Sequence, residues 1–170
     1  ASGVLVNIRK FEQEDFNAVK DIYQQGIDTG NATFQKIAKN WEEWNNSMLI
    51  NCRLVATKNN QILGWAGLSA VSSREVYSGV VEVSVYVSEQ AQGNGVGQKL
   101  LSQLILESEK NNIWMLQAGI FPENIGSIAL HKKNGFRQVG VREKVGKMNE
   151  VWRDSVLMER RSQIVGVSGN

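Results

Sequence analysis

The sequence predicts an α/β (α+β) sandwich: a mixed, mainly antiparallel sheet of about six to seven strands, flanked by helices. Three observations carry that prediction. Some segments alternate apolar and polar residues with period two. Others repeat apolar residues at helical spacing. The two kinds follow one another in the mixed order β-α-α-β-β-β-α-β-α-β-β.

The elements read as follows. VLVNIR (Val4 to Arg9) alternates like a strand. From Glu12 onward, Phe16, Val19, Ile22, Tyr23 and Ile27 mark one helix face, and TGNATF ends that helix. Asn40 is a plausible N-cap for a second helix carrying Trp41, Trp44 and Met48, with both tryptophans expected in the core. RLVATK and QILGWAGLSAV are strands joined at Asn59-Asn60, a hairpin signal. GVVEVSVYVS is the clearest strand. Val96, Leu100, Leu101, Leu104 and Ile105 form a helix stripe, and IWMLQAGIF reads as a buried strand. A helix capped by Asn124 and closed by Asn134-Gly135 follows. FRQVGVREKVG and EVWRDSVLMERR read as an antiparallel pair.

Composition narrows the function classes. The 170 residues suit one domain, expected over Val4 to Arg161, with residues 162–170 as a tail whose end, GVSGN, is expected to fray. With 42% apolar and 21% charged residues, the chain is neither disordered nor fibrous. A net charge of +2 without a Lys/Arg block argues against nucleic-acid binding. The one cysteine, Cys52, forms no disulfide framework, so a reducing, cytoplasmic setting is expected. Neither a membrane span nor a signal peptide is expected. One histidine and no Cys/His cluster argue against a metal site.

Three glycines within five residues, Gly93-Asn94-Gly95-Val96-Gly97, lie between a strand and a helix start. A helix start offers unpaired N–H groups and a positive dipole end, and glycines let a pyrophosphate approach. An ordinary flexible turn explains three glycines equally well. A phosphate-binding P-loop is excluded, because Gln98 follows Gly97 and Leu100 follows Lys99. In the dinucleotide fingerprint the third glycine would come one residue later.

In VVEVSVYV, Val81, Val83, Val85 and Val87 share one face, and Glu82, Ser84 and Tyr86 the other. A carboxylate in so apolar a strand is costly unless paired, hydrated or useful. Glu82 is therefore either a paired or exposed carboxylate or a general base. His131, the only histidine, is either a packed helix residue or a proton carrier. Arg74 is either a solvated loop residue or a carboxylate clamp, with Tyr77 beside it.

Gln92-Gly93-Asn94-Gly95-Val96-Gly97 fits Q/R-x-x-G-x-G/A, and Asn124 with SIALHKKNGF fits N-x-x-[AS]-x-x-[LF]-[YH]-x-x-x-G-F. Both resemble the GCN5-related N-acetyltransferases, as does the order of elements from about Val4 to Arg161. VVEVSVYVSEQAQGNGVG and Leu130-His131 further resemble the phosphinothricin and L-amino acid (methionine sulfoximine/sulfone) N-acetyltransferases. One departure is the loop R-x-[FY]-x-G of that group, which here is Arg74-Glu75-Val76-Tyr77-Ser78-Gly79.

The resemblance implies an acyl-CoA N-acyltransferase fold whose sheet splays at the acetyl-CoA site. It implies direct acetyl transfer, in a ternary complex, to the α-amine of a small amino acid or analogue. Glu82 would be the general base, and His131 the donor to the leaving thiolate or an alternative base. The backbone of Val85, Tyr86 and Val87 would pair with the pantetheine arm, with a backbone N–H near Val85 polarising the carbonyl. Gln92, Gly93, Asn94, Gly95, Val96, Gly97 and Gln98 would hold the pyrophosphate, Asn124 the arm, and Lys133 the phosphates. Phe34, Arg74 and Tyr77, with Glu82, would contact the substrate. A homodimer is also implied. The alternatives are a protein N-terminal or lysine acetyltransferase and a CoA-binding sensor without catalysis.

Overall fold

The computed structural model describes residues 5–169. Its regular elements are β1 (Asn7–Lys10), α1 (Phe16–Asp28), α2 (Trp41–Ser47), β2 (Leu54–Lys58), β3 (Gln61–Ala70), β4 (Val80–Val87), α3 (Val96–Lys110), β5 (Met115–Ile120), α4 (Ile125–Lys133), β6 (Arg137–Met148) and β7 (Val151–Arg161). This is the order expected from the sequence. The first strand begins at Asn7; of the expected segment, Val4 lies outside the described residues.

All seven strands join one sheet, ordered β1-β2-β3-β4-β5-β7-β6. Every neighbouring pair is antiparallel except β4 and β5. Asn59 and Asn60 both have positive φ, as a two-residue hairpin turn requires, and Lys58 pairs directly with Gln61.

Each face of the sheet carries its own core. On one face, Val81 and Val83 meet the α3 stripe of Val96, Leu100, Leu101 and Leu104. On the other, α1 and α2 bring Val19, Ile22, Tyr23 and Trp44 against Val55 and Trp65. Trp41 is only half-buried, against that second core. The two cores follow from the period-two alternation of the strands between them.

Local chemistry sets the helix limits. Asn40 caps α2 by accepting from the Glu43 N–H, and the Glu43 carboxylate accepts from the Asn40 N–H. Buried Arg53 closes the other end of α2, donating to the carbonyls of Asn45, Met48 and Leu49. The segment from Ser162 to Gly166, just after β7, is held by hydrogen bonds, and Asn170 of the expected frayed end lies outside the described residues. Arg161 donates to the Val165 and Gly166 carbonyls at 2.8 and 2.7 Å. Buried Ser162 donates to Glu109.

Candidate active site

The parallel pair β4–β5 lasts three residues, from Val80↔Met115 to Glu82↔Gln117. Beyond it, β4 continues to Val87 with only β3 beside it, while β5 turns away along β7. The sheet therefore splays, and the outer edge of β4 from Val83 to Val87 has no strand partner among the described residues. A cavity of about 460 Å³ fills the split, lined by β4 (Glu82 to Tyr86), β5, α4, the α1–α2 connection and β6. A smaller cavity of about 170 Å³ lies on the α1/α2 side. Thr33, Glu82, Ser84 and Tyr86 line both.

Glu82 is exposed at this junction and forms no salt bridge among the described residues. Opposite it in β3 stands Ser69, a polar neighbour rather than a counter-ion. The Tyr86 ring stacks on Trp65, with centroids 5.2 Å apart and an 11° interplanar angle. Burial pushes the Tyr86 phenol up, so it keeps its proton at neutral pH.

His131 is buried on α4 and lines the large cavity. Its Nδ1 lies 2.7 Å from the Ser127 carbonyl oxygen. A carbonyl only accepts, so Nδ1 carries the hydrogen. Burial holds the imidazole below its ordinary pKa, against the opposing effect of that hydrogen bond. The neutral ring is thus left with an unprotonated Nε2, an acceptor.

The glycine turn leaves backbone N–H groups open at the start of α3. Gly93 and Gly95 have φ of +80° and +76°, and a Cβ on either would meet nothing within 4 Å. Gly95 is the N-cap of α3 and supplies no side-chain cap, in contrast to Asn40 and Asn124. The first intrahelical bond is from Lys99 N–H to the Gly95 carbonyl. The N–H groups of Val96, Gly97 and Gln98 are left over at the positive end of a 15-residue helix. The Val96 side chain is core, so only its backbone can serve a ligand.

Several polar side chains here already have partners. Gln92 donates to the Val87 carbonyl at 3.0 Å. Asn94 reaches the Ala91 carbonyl at 3.4 Å. Gln98 and Asn134 exchange two amide hydrogen bonds of 3.0 and 2.8 Å, bracing α3 against α4. Asn124 caps α4 through Ser127 and donates to the Asn31 carbonyl. Lys133 is exposed on the last turn of α4.

On the substrate side, Phe34 lines the large cavity and packs edge-on against Phe121. Arg74 and Tyr77 are exposed in a single 3-10 turn region before β4, with the guanidinium 5.5 Å from the tyrosine ring, and neither lines either of these two cavities. The cation on the large cavity is Arg142 of β6, a residue the sequence did not single out. Its regular pairing with Ser155, another lining residue, puts it there; a bulge follows, in which Gly146 pairs with Arg153, so Glu143, Lys144 and Val145 face Asp154 alone. Lys144 takes positive φ, and its N–H donates to Asp154 at 2.8 Å. The break in alternation at Lys144-Val145-Gly146 is the one sequence signal of this wall.

A family model described as an acetyltransferase (GNAT) domain matches residues 8–157. The chain belongs to the GNAT acetyltransferases. It is 32% identical over 163 residues to phosphinothricin N-acetyltransferase of Alcaligenes faecalis, covering 90% of this chain and 81% of that one. It is 36% identical over 106 residues, 62% of each chain, to the L-methionine sulfoximine/L-methionine sulfone acetyltransferase of Salmonella typhimurium. The crystal structure of a GNAT superfamily phosphinothricin acetyltransferase from Sinorhizobium meliloti, in complex with acetyl-CoA, superposes with a TM-score of 0.85 at 26% identity, covering 96% and 92% of the two chains. The GNAT fold expected from the sequence is therefore present, and the protein is an N-acetyltransferase. Among the described residues, no helix is long and apolar enough to cross a membrane, and no cluster of three metal-ligating side chains occurs.

Proposed function

We propose that this GNAT enzyme transfers the acetyl group of acetyl-CoA directly to the α-amine of a small amino acid or amino-acid analogue, in a ternary complex. The observation that carries this reading is Glu82, a carboxylate without a counter-ion where the splayed strand and the two cavities meet.

The residues present fit acetyl-CoA. The free edge of β4 around Val85, Tyr86 and Val87 offers backbone groups to an extended amide-bearing arm. The uncapped start of α3 and the open backbone at Gly93 and Gly95 suit a pyrophosphate. Gln92 and Gln98 support that turn through their existing bonds, and Lys133 stands on the neighbouring helix end. The cosubstrate supplies the acetyl thioester.

A free amino acid reaches neutral pH as an ammonium ion, which is not nucleophilic. Glu82 accepts its surplus proton, directly or through one water. The nitrogen then forms a bond to the acetyl carbon, the carbon–sulfur bond breaks, and the sulfur departs with the electron pair and takes up the proton that the nitrogen sheds as the amide forms. His131 fits a proton acceptor better than a donor, because its one hydrogen is held by Ser127. Arg142, a cation lining the large cavity, would hold the substrate carboxylate, a part the resemblance implied for Arg74. We also propose a homodimer. β6 is an edge strand, and Val139, Val141, Val151 and Trp152 are exposed on it and on β7.

The test is thiol release from acetyl-CoA with a panel of amino acids, methionine sulfone and peptides. Turnover of free amino acids but not peptides is expected. Turnover of peptides alone would replace this reading with a protein acetyltransferase, and tight CoA binding without turnover would replace it with a sensor. Glu82→Gln should lower kcat/KM by about 10²–10⁴ at neutral pH. That loss should shrink at high pH, where the amine is already free. A monomer by light scattering at working concentration would refute the dimer.

A further inference from the structure

The chain contains two Asn-Gly pairs, Asn94-Gly95 and Asn134-Gly135, and their surroundings differ in the features that govern side-chain amide chemistry. In such a pair the glycine nitrogen can attack the asparagine side-chain carbonyl when three conditions hold. The amide side chain must be free to turn, the glycine N–H must be unbonded, and the backbone must have room to move. Glycine itself has no side chain to block the approach.

Asn134 is held on every count. Its side chain exchanges two hydrogen bonds with Gln98, of 2.8 and 3.0 Å, and donates to the Leu130 carbonyl at 2.9 Å. The Gly135 N–H donates to the Lys132 carbonyl at 3.1 Å. A Cβ on Gly135 would meet Arg160 Nε at 3.5 Å, so that side is filled. Asn94 is the opposite case. It is exposed, and its side-chain contacts, to the Ala91 and Gln92 carbonyls, are long at 3.4 and 3.5 Å. Among the described residues, the Gly95 N–H makes no backbone hydrogen bond. Gly93 and Gly95, on either side, have open space where a Cβ would stand. Gly95 also caps α3, whose positive end favours negative charge nearby, including that of a backbone nitrogen without its proton.

We propose that Asn94 is a site of spontaneous deamidation, and that the carboxylate so formed weakens the hold on acetyl-CoA. The second half rests on the cosubstrate placement proposed above. The Gly95 nitrogen gives up its proton and forms a bond to Asn94 Cγ. The side-chain carbon–nitrogen bond breaks, and its nitrogen leaves as ammonia with that proton. Water then opens the cyclic imide at one of its two carbonyls, leaving an aspartate or an isoaspartate. Either product puts a negative charge on the turn that faces the pyrophosphate, and the two repel. A bound pyrophosphate covers the same turn, so cosubstrate guards the site and scarcity of cosubstrate exposes it.

The experiment incubates the wild-type protein at mildly alkaline pH, with and without acetyl-CoA, and then digests it. Trypsin cuts after Arg74, Lys99, Lys133 and Arg137, so mass spectrometry reads the two pairs in separate peptides. Amide-to-acid conversion at Asn94 should run at least about tenfold faster than at Asn134, whose bonds must first break. No conversion at Asn94, or equal rates at the two sites, overturns the proposal. Saturating acetyl-CoA should slow conversion at Asn94, and an unchanged rate overturns the guarding role. Asn94→Asp mimics the product. It should bind acetyl-CoA about tenfold more weakly, with the deficit shrinking at high salt. Its bare form should melt no lower than the wild type, because a carboxylate at a helix start is favourable; this separates repulsion from damage to the fold. Asn94→Gln, whose longer side chain closes a ring far more slowly, should keep its own starting affinity through the incubation while the wild type loses affinity. Undiminished acetyl-CoA affinity in Asn94→Asp overturns the functional half. Fresh wild type that binds no acetyl-CoA would instead refute the cosubstrate placement, and the peptides alone would still decide the chemistry at Asn94.

Discussion

Gly26 of α1 faces the Tyr86 ring of β4 so closely that a Cβ at position 26 would stand 2.6 Å from Tyr86 Cδ2. The ring cannot yield easily, because Trp65 and Tyr23 hold it on other sides. Alanine ordinarily favours a helix interior over glycine by about 1 kcal/mol. Here overpacking should outweigh that gain, at about 1–3 kcal/mol. Gly26→Ala is expected to lower the urea midpoint and to raise the KM for the amine, since Tyr86 lines both cavities. A midpoint at or above that of the wild type would show that the ring moves freely.

Arg142 and Arg74 make opposite predictions. Arg142→Gln should raise the amino-acid KM by about 10-fold to 100-fold, as expected for a lost charge-assisted bond, with the acetyl-CoA KM nearly unchanged. Arg74→Gln, at an exposed turn outside both cavities, should change neither. Steady-state kinetics with either substrate varied decides this, and the reverse pattern would return the carboxylate to Arg74.

His131 should make stability depend on pH. Its folded pKa lies below the ordinary 6.5 because the ring is buried. As the pH falls through 6.5, the unfolded chain takes up a proton that the folded chain still refuses. The unfolded state then binds more protons, so stability falls with pH until the folded ring also protonates. The stability advantage of the wild type over His131→Gln, measured by urea unfolding, should shrink between about pH 7.5 and pH 5, by no more than about 1.4 kcal/mol per pH unit. An advantage independent of pH would show that the ring is not held neutral.

Cys52 should be unreactive in the native protein. Burial, with a smaller contribution from Glu107 and an opposing bond from Asn111, pushes its thiol up to about 11. Only the thiolate reacts, and the side chain is 9% exposed. Labelling by a thiol reagent at neutral pH should be at least about 100-fold slower than in urea. Comparable rates would show that the segment opens readily.

Much of this architecture could be read from period and punctuation. Asn40, Asn59-Asn60, Asn124 and Asn134-Gly135 mark their boundaries because each meets a local backbone need, a cap or a left-handed turn. Glu82 stood out as a charge in a valine strand, and the three-glycine turn as a helix start. Arg142 did not stand out. It reaches the cavity through its cross-strand pairing with Ser155 and through a chain order that places β7 between β5 and β6. Contacts of that kind join residues far apart in sequence, so no local pattern records them. The same holds for the indoles of Trp44 and Trp65: sequence shows two apolar residues on a helix and a strand, and only packing shows that neither N–H has a partner among the described residues.

β4 is a strand of two unequal halves. From Val80 to Glu82 it is held from both sides, and from Val83 onward from one. Amide hydrogens along the one-sided half should exchange with solvent sooner than those of the two-sided half. A ligand that lies along that edge as an eighth strand would slow their exchange, and the melting temperature would climb with its concentration. Heat resistance would then follow the supply of such a ligand more than the bare chain.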